Sequence, residues 1–205
     1  FGSNDTNPDS RHPIFARNFL EGTGSSDYQS NTFMQYITSD TDSEDPRRRY
    51  YFYRQRAIGP QNTVEQSCFG TLPPAHIGFT NIYCNLNEFA TYPGYWGRDH
   101  GYDFGIPPDT TLRTAWGLYP VGGQFDDNSF TSIADRSIGT KGAGIEPIML
   151  SSFVHFMLAE LALETSFAGD ASALLEEGIR QSISKVMNFR SDLADANYVP
   201  TSDDV

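Results

Sequence analysis

At 205 residues the chain is long enough for one domain, or for part of a larger one. It carries 14 basic against 26 acidic residues, a formal net charge of −12, and Lys141 and Lys185 are its only lysines. That balance argues against a binder of the nucleic-acid backbone, which needs a basic footprint, and against a polybasic anchor on an anionic membrane. A chain this acidic risks disorder. The 15 Phe, 11 Tyr and 2 Trp nevertheless supply a core or a binding surface, and 18 Gly with 12 Pro point to a folded chain with much loop.

In chain order, residues 1–26 read as loop, punctuated by Asn7-Pro8, His12-Pro13 and the run Gly22 to Ser26. A short helix is expected within Tyr28 to Ile37, with Phe33, Met34 and Ile37 on one side. Asp40 to Pro46 is an acidic turn, and the Arg- and Tyr-rich run Arg47 to Arg54 is expected to be a strand, although its alternation is imperfect. From Gly59 to Pro120 no element longer than about six residues stands out, far beyond the usual loop limit of roughly 12–15 residues. Loops of such length are functional or disordered, and the aromatics argue against disorder.

Only the last third shows sustained helical periodicity. Gly144-Ile145-Glu146-Pro147 is expected to open a helix, with Pro147 in the first turn, where its missing N–H costs nothing. Leu150, Phe153, Val154, Met157, Leu158 and Leu161 follow at helical spacing as its apolar face. The turn Thr165 to Gly169 ends it, and Asp170 is suited to cap the next helix, whose apolar face is Leu175, Ile179, Ile183, Val186 and Met187. His155, in the middle of the first helix, is expected to pack in a core. Because Glu146, His155 and Glu160 interrupt the apolar window Ile145 to Leu163, it reads as an amphipathic helix and not a bilayer span.

The expected architecture is thus mainly α, a helix hairpin with long irregular loops and at most short strands. Residues 1–144 form a loop-rich recognition region, 145–190 an αα-hairpin and 191–205 an acidic tail, all within one larger domain. A lone hairpin buries one face of each helix and has to pack on something more. With no basic-then-apolar leader after Phe1 and no closing element before Val205, the chain is expected to be a piece of a longer protein.

The richest chemistry lies between Gly94 and Asp109. Tyr95, Trp96 and Tyr102 offer flat faces for sugar rings, while Arg98, Asp99 and His100 offer directional hydrogen bonds. The four glycines Gly94, Gly97, Gly101 and Gly105 let the backbone approach closely. These six side chains are the candidate ligand-binding residues; the bland alternative is a loop that satisfies only itself. Asp99, His100, Asp103 and Asp109 could ligate a metal, but their spacing matches no standard metal motif. A glycoside hydrolase using an Asp pair in the 97–109 loop is a rival reading. With 26 acids chance pairs abound, and no Gly-x-Ser-x-Gly, His-Glu-x-x-His or phosphate loop occurs, so no enzyme and no cofactor is expected.

Cys68 and Cys84 flank a loop holding Pro73-Pro74 and are a candidate disulfide, with two free thiols as the alternative. In Asp126-Asp127-Asn128, Asx-turn hydrogen bonding is favoured over a cation site. For Arg47 to Arg49, solvated or Asp-paired arginines are favoured over an anion clamp. His12 and His76 carry no specific signal.

Several blocks together resemble the SusD/RagB-like family. They are Asp45-Pro46-Arg47 with Tyr51-Phe52-Tyr53-Arg54, Gly94 to Gly101, Gly105-Ile106-Pro107-Pro108-Asp109, and Tyr119 to Gly123 with Phe125-Asp126. Ile148-Met149-Leu150 with Phe153, Phe156 and Ala159-Glu160 follows, then Gly169-Asp170-Ala171 with Leu175 and Gly178-Ile179-Arg180. The likeness runs from roughly residue 8 to 190, and its specificity lies in the order and spacing of short motifs. The resemblance implies a surface-exposed, lipid-anchored outer-membrane protein with a tetratricopeptide-like helical scaffold. It would capture oligosaccharide, or peptide, and pass it to a TonB-dependent, SusC-like transporter. Cys68 and Cys84 lie too far inside the chain to be the lipidated cysteine the family implies. A module that contacts only the transporter, with no ligand of its own, is the remaining alternative.

Overall fold

The computed structural model describes residues 10–21, 27–38, 45–55, 114–131 and 139–199. Among these the structure is mainly helical, with a single two-stranded antiparallel sheet.

The first helix corrects the expectation of a loop over residues 1–26. Helix α1 (Pro13–Phe15) runs directly into a π-helical turn, Ala16–Glu21. His12-Pro13 starts this helix instead of breaking the chain. The His12 Nδ1 accepts the Ile14 N–H at 3.2 Å, and Pro13 occupies the first turn. Phe15 and Phe19 stack with ring centres 4.4 Å apart and are buried with Tyr53, Ala115 and Val121. Helix α2 (Asn31–Thr38) matches the expected short helix; Met34 and Ile37 are buried against Phe52.

The run Arg47 to Arg54 is not a continuous strand. It makes one helical turn, α3 (Arg48–Tyr51), and only then the two-residue strand β1 (Phe52–Tyr53). The cause is local: the Asp45 carboxylate accepts the Arg47 N–H at 2.8 Å and sets a turn that the following N–H groups of Tyr50 and Tyr51 continue onto the Arg47 carbonyl. The chain extends where β2 (Ala115–Trp116) offers a partner, with Phe52 opposite Trp116 and Tyr53 opposite Ala115. This pairing brings together the two ends of the segment 56–113.

Residues 117–126 are stitched along α3. The Gly117 N–H donates to the Tyr51 carbonyl at 2.8 Å, the Tyr119 N–H to the Tyr50 carbonyl at 2.9 Å, and the Asp126 N–H to the Arg49 carbonyl at 3.0 Å. Gly117 is required here, because a Cβ would lie 2.3 Å from the Tyr50 carbonyl oxygen. Tyr50, Leu118, Tyr119 and Phe125 form a buried cluster with Val186 of the last helix.

The hairpin consists of α4 (Ser151–Glu164) and α5 (Ala171–Met187). Its first helix begins at Ser151 and not at Pro147. The Ile145 N–H is tied to the Pro120 carbonyl at 2.8 Å, and the residue before Pro147 is biased toward an extended conformation. The expected cap of α5 is present: the Asp170 Oδ1 accepts the N–H groups of Ser172 at 3.0 Å and Ala173 at 3.2 Å.

The expected face of α4 is not the buried one. Phe153, Val154, Met157 and Leu161 are 41, 40, 49 and 41% exposed, whereas Ser152 and Ala159 are buried. Small residues decide the contact. Gly178 of α5 lies so near the Phe156 ring that a Cβ would come within 2.5 Å of it. On α5 the far half of the expected face packs inward, with Val186 buried and Ile183 and Met187 half-buried, while Leu175 and Ile179 remain exposed. His155 is half-buried rather than packed in a core, and its Nδ1–H donates to the Ser151 carbonyl at 2.8 Å. After α5 a helical turn at Ser191–Leu193 leads Ala194, Tyr198 and Val199 back onto the Tyr50 cluster.

Candidate functional site

The candidate ligand residues Tyr95, Trp96, Arg98, Asp99, His100 and Tyr102 lie outside the described residues, as do Cys68, Cys84, His76 and the metal candidates Asp103 and Asp109. The described residues assemble two other polar features, both from motifs that flank that segment or follow it.

The first sits where the chain enters and leaves residues 56–113. Arg54, the residue after β1, holds Asp126 bidentately: its Nε donates to Oδ2 at 2.6 Å and its Nη2 to Oδ1 at 3.2 Å. Asp126 is 0% and Arg54 4% exposed, so the pair is withdrawn from water. Arg54 also donates to the Asn128 Oδ1, and Arg49 donates to that same oxygen and to the Asp126 carbonyl, each at 2.9 Å. Beside them the Tyr53 hydroxyl bonds the Ser129 and Thr131 hydroxyls at 2.8 and 2.7 Å. Asp126-Asp127-Asn128 makes Asx turns: the Asn128 N–H reaches Asp126 at 3.2 Å and the Ser129 N–H reaches Asp127 at 3.0 Å. Arg47 pairs with Asp45 at 2.6 Å and reaches across to the Ser182 hydroxyl of α5 at 2.9 Å. Arg49 also lies 3.7 Å from the Asp126 carboxylate, so Arg47 and Arg49 are both acid-paired, and the cluster acts as a brace.

The second feature is a groove of about 560 Å³ along the second half of α5 and the turn after it, from Glu177 to Arg190, with Ser151 of α4 on its wall. Helical spacing puts Glu177, Gln181, Ser184 and Asn188 on one face. Gln181 donates its Nε2 to Glu177 at 2.7 Å, and Asn188 donates its Nδ2 to the Ser184 hydroxyl at 2.9 Å. Arg180 is held by Glu176 at 2.6 Å and by Glu177, and Arg190 by both oxygens of Asp192 at 2.9 Å. The hydrogen bond from Gln181, with Arg180 nearby, holds the Glu177 carboxyl below its ordinary value, so it is an acceptor at neutral pH. The sequence carried a signal for this face in that spacing of four polar residues, but attention to the apolar positions of α5 passes over it.

One further residue, outside both features, carried no sequence signal. His12 is 1% exposed; besides its bond to Ile14 it meets Glu146 through Nε2 at 3.1 Å, joining α1 to the approach of α4.

Among the described residues no group of three or more His, Cys, Asp or Glu side chains is placed to hold a metal ion, and no helix is long and apolar enough to cross a membrane. No family model, curated protein or solved structure matches the chain.

Proposed function

We propose that the chain belongs to the SusD-like kind of nutrient-binding protein, a non-catalytic, lipid-anchored protein of the outer-membrane surface that captures oligosaccharide for a TonB-dependent transporter. The observation that carries this reading is how the described blocks of the resemblance interlock. Tyr51 meets Tyr119 edge-on with ring centres 5.6 Å apart, Arg54 grips Asp126, and Gly178 lies against the Phe156 ring. The α4–α5 pair then serves as one hairpin of a tetratricopeptide-like scaffold, and the exposed stripe from Phe153 to Leu161 is the side that meets a neighbouring element.

In this reading the segment 56–113 is the recognition loop, held at both ends by the β1–β2 pair. Tyr95, Trp96 and Tyr102 stack on the sugar, and Arg98, Asp99 and His100 fix its hydroxyls. Calorimetry with a glycan panel tests it. Trp96→Ala and Asp99→Ala should each weaken glycan binding by about fivefold, from roughly 1 kcal/mol per lost stacking or hydrogen-bonding contact. Two folded variants that bind as the parent does would overturn the assignment.

A further inference from the structure

We propose that the exposed row of α4 is a docking surface for an amphipathic helix of another polypeptide, one whose apolar face carries lysine or arginine placed to meet Glu160 and Glu164. Of the thirteen exposed large apolar side chains among the described residues, ten lie between Ile148 and Ile179, so apolar exposure is concentrated on the hairpin, as it is at interfaces.

The row comes from spacing. Phe153, Met157, Glu160 and Glu164 follow one another at intervals of four, three and four residues, which sets them along one line of the helix. All four are exposed. The two carboxylates therefore continue the apolar row and do not form a separate polar face.

Charge identifies the occupant. Among the acidic side chains described, every other one is held by a hydrogen bond or an ion pair, even the exposed Asp170 and Asp195. Glu160 and Glu164 have neither among the described residues. Helix α4 contains no basic residue, and its carbonyl end adds partial negative charge beside Glu164. A helix laid on this row thus has to bring cations of its own. Lysine and arginine suit the place, because their stems can lie along Phe153 and Met157 while their heads reach the carboxylates. A second copy does not suit it. Paired antiparallel, its α4 would set these carboxylates against Phe153 and Val154; paired parallel, it would set them against one another. The same charges repel an anionic membrane surface.

The surface rests on the scaffold reading only in taking this stripe as a covered side. The test uses the full chain and three synthetic peptides. The first is a helix with a leucine row flanked by lysines, the second has the same row flanked by glutamates, and the third has the residues of the first in shuffled order. The lysine helix should bind at physiological salt and shift the amides of residues 151–164. The glutamate helix should bind about tenfold more weakly or worse. Met157→Ser should weaken the lysine helix by about tenfold, and joint Glu160→Gln and Glu164→Gln should bring the two helices to equal affinity. These positions are exposed, so circular dichroism should show an unchanged fold. Equal binding of the shuffled peptide would reduce the effect to net charge and overturns the proposal. It is also overturned by equal binding of the two helices to the unaltered chain, by no binding at millimolar peptide, by shifts that spare α4, or by self-association that Met157→Ser abolishes. Glycan capture by residues 56–113 is measured separately by calorimetry, so either reading can fail alone.

Discussion

Asp126 and Asp127 are neighbours in sequence with opposite fates. Asp126 is fully buried and committed to Arg54, whereas Asp127 caps a turn through the Ser129 N–H. Removing the buried partner strands a guanidinium away from water, so Asp126→Ala should lower the unfolding free energy by about 3–5 kcal/mol in urea titrations. Asp127→Ala should cost about 1 kcal/mol or less. The sequence alone could not separate the two, because the distinction depends on an arginine 72 positions away. That Asx turns would dominate this stretch was legible, since such turns are made within two residues.

His12 makes a second residue-scale prediction. Burial pulls its pKa below 6.5, and the attraction of Glu146 only partly opposes this. The unfolded chain therefore takes up the proton first as pH falls. Stability from neutral His12 is complete above about pH 6.5 and is lost below that value toward the folded pKa. Unfolding in urea should show a loss of stability as pH falls below about 6.5, and His12→Gln should flatten that slope. Nothing in His12-Pro13 distinguishes a histidine that starts a helix from one in a loop; burial by distant residues decides.

At the scale of elements, the hairpin shows what local patterns carry and where they fail. The Asp170 cap was legible because its acceptor and donors lie within three residues. Asp170→Ala should destabilise α5 by about 1 kcal/mol, read as a lower midpoint in thermal unfolding followed by circular dichroism. The contact face of α4 was not legible. The helix is apolar around most of its circumference, so periodicity does not single out one side, and the choice falls to Ser152 and Ala159, whose small side chains permit close packing. The start of α4 was misplaced for a similar reason: Pro147 fits a first turn, yet the Ile145–Pro120 hydrogen bond holds the chain extended. The Arg47 to Arg54 run divides at Phe52 because a strand needs a partner, and the partner lies beyond residue 113.

For the molecule as a whole, composition and the late helical pattern were enough to indicate a mainly helical chain with little sheet. They could not indicate how the pieces join, because the joints are contacts between residues far apart in the chain, among them Arg54 with Asp126, Arg47 with Ser182, and His12 with Glu146. The groove was hidden for the opposite reason. Its face is regular and polar, and regular polar faces usually belong to solvent.

The two-residue pairing of β1 with β2 has a consequence for how such a molecule can change over generations. Since the ends of residues 56–113 are pinned side by side, the entropy of closing that excursion grows only with the logarithm of its length. Insertions and replacements there need not disturb the register at its base. The base acts as a fixed socket, and selection can exchange what is plugged into it while the braced helices stay the same.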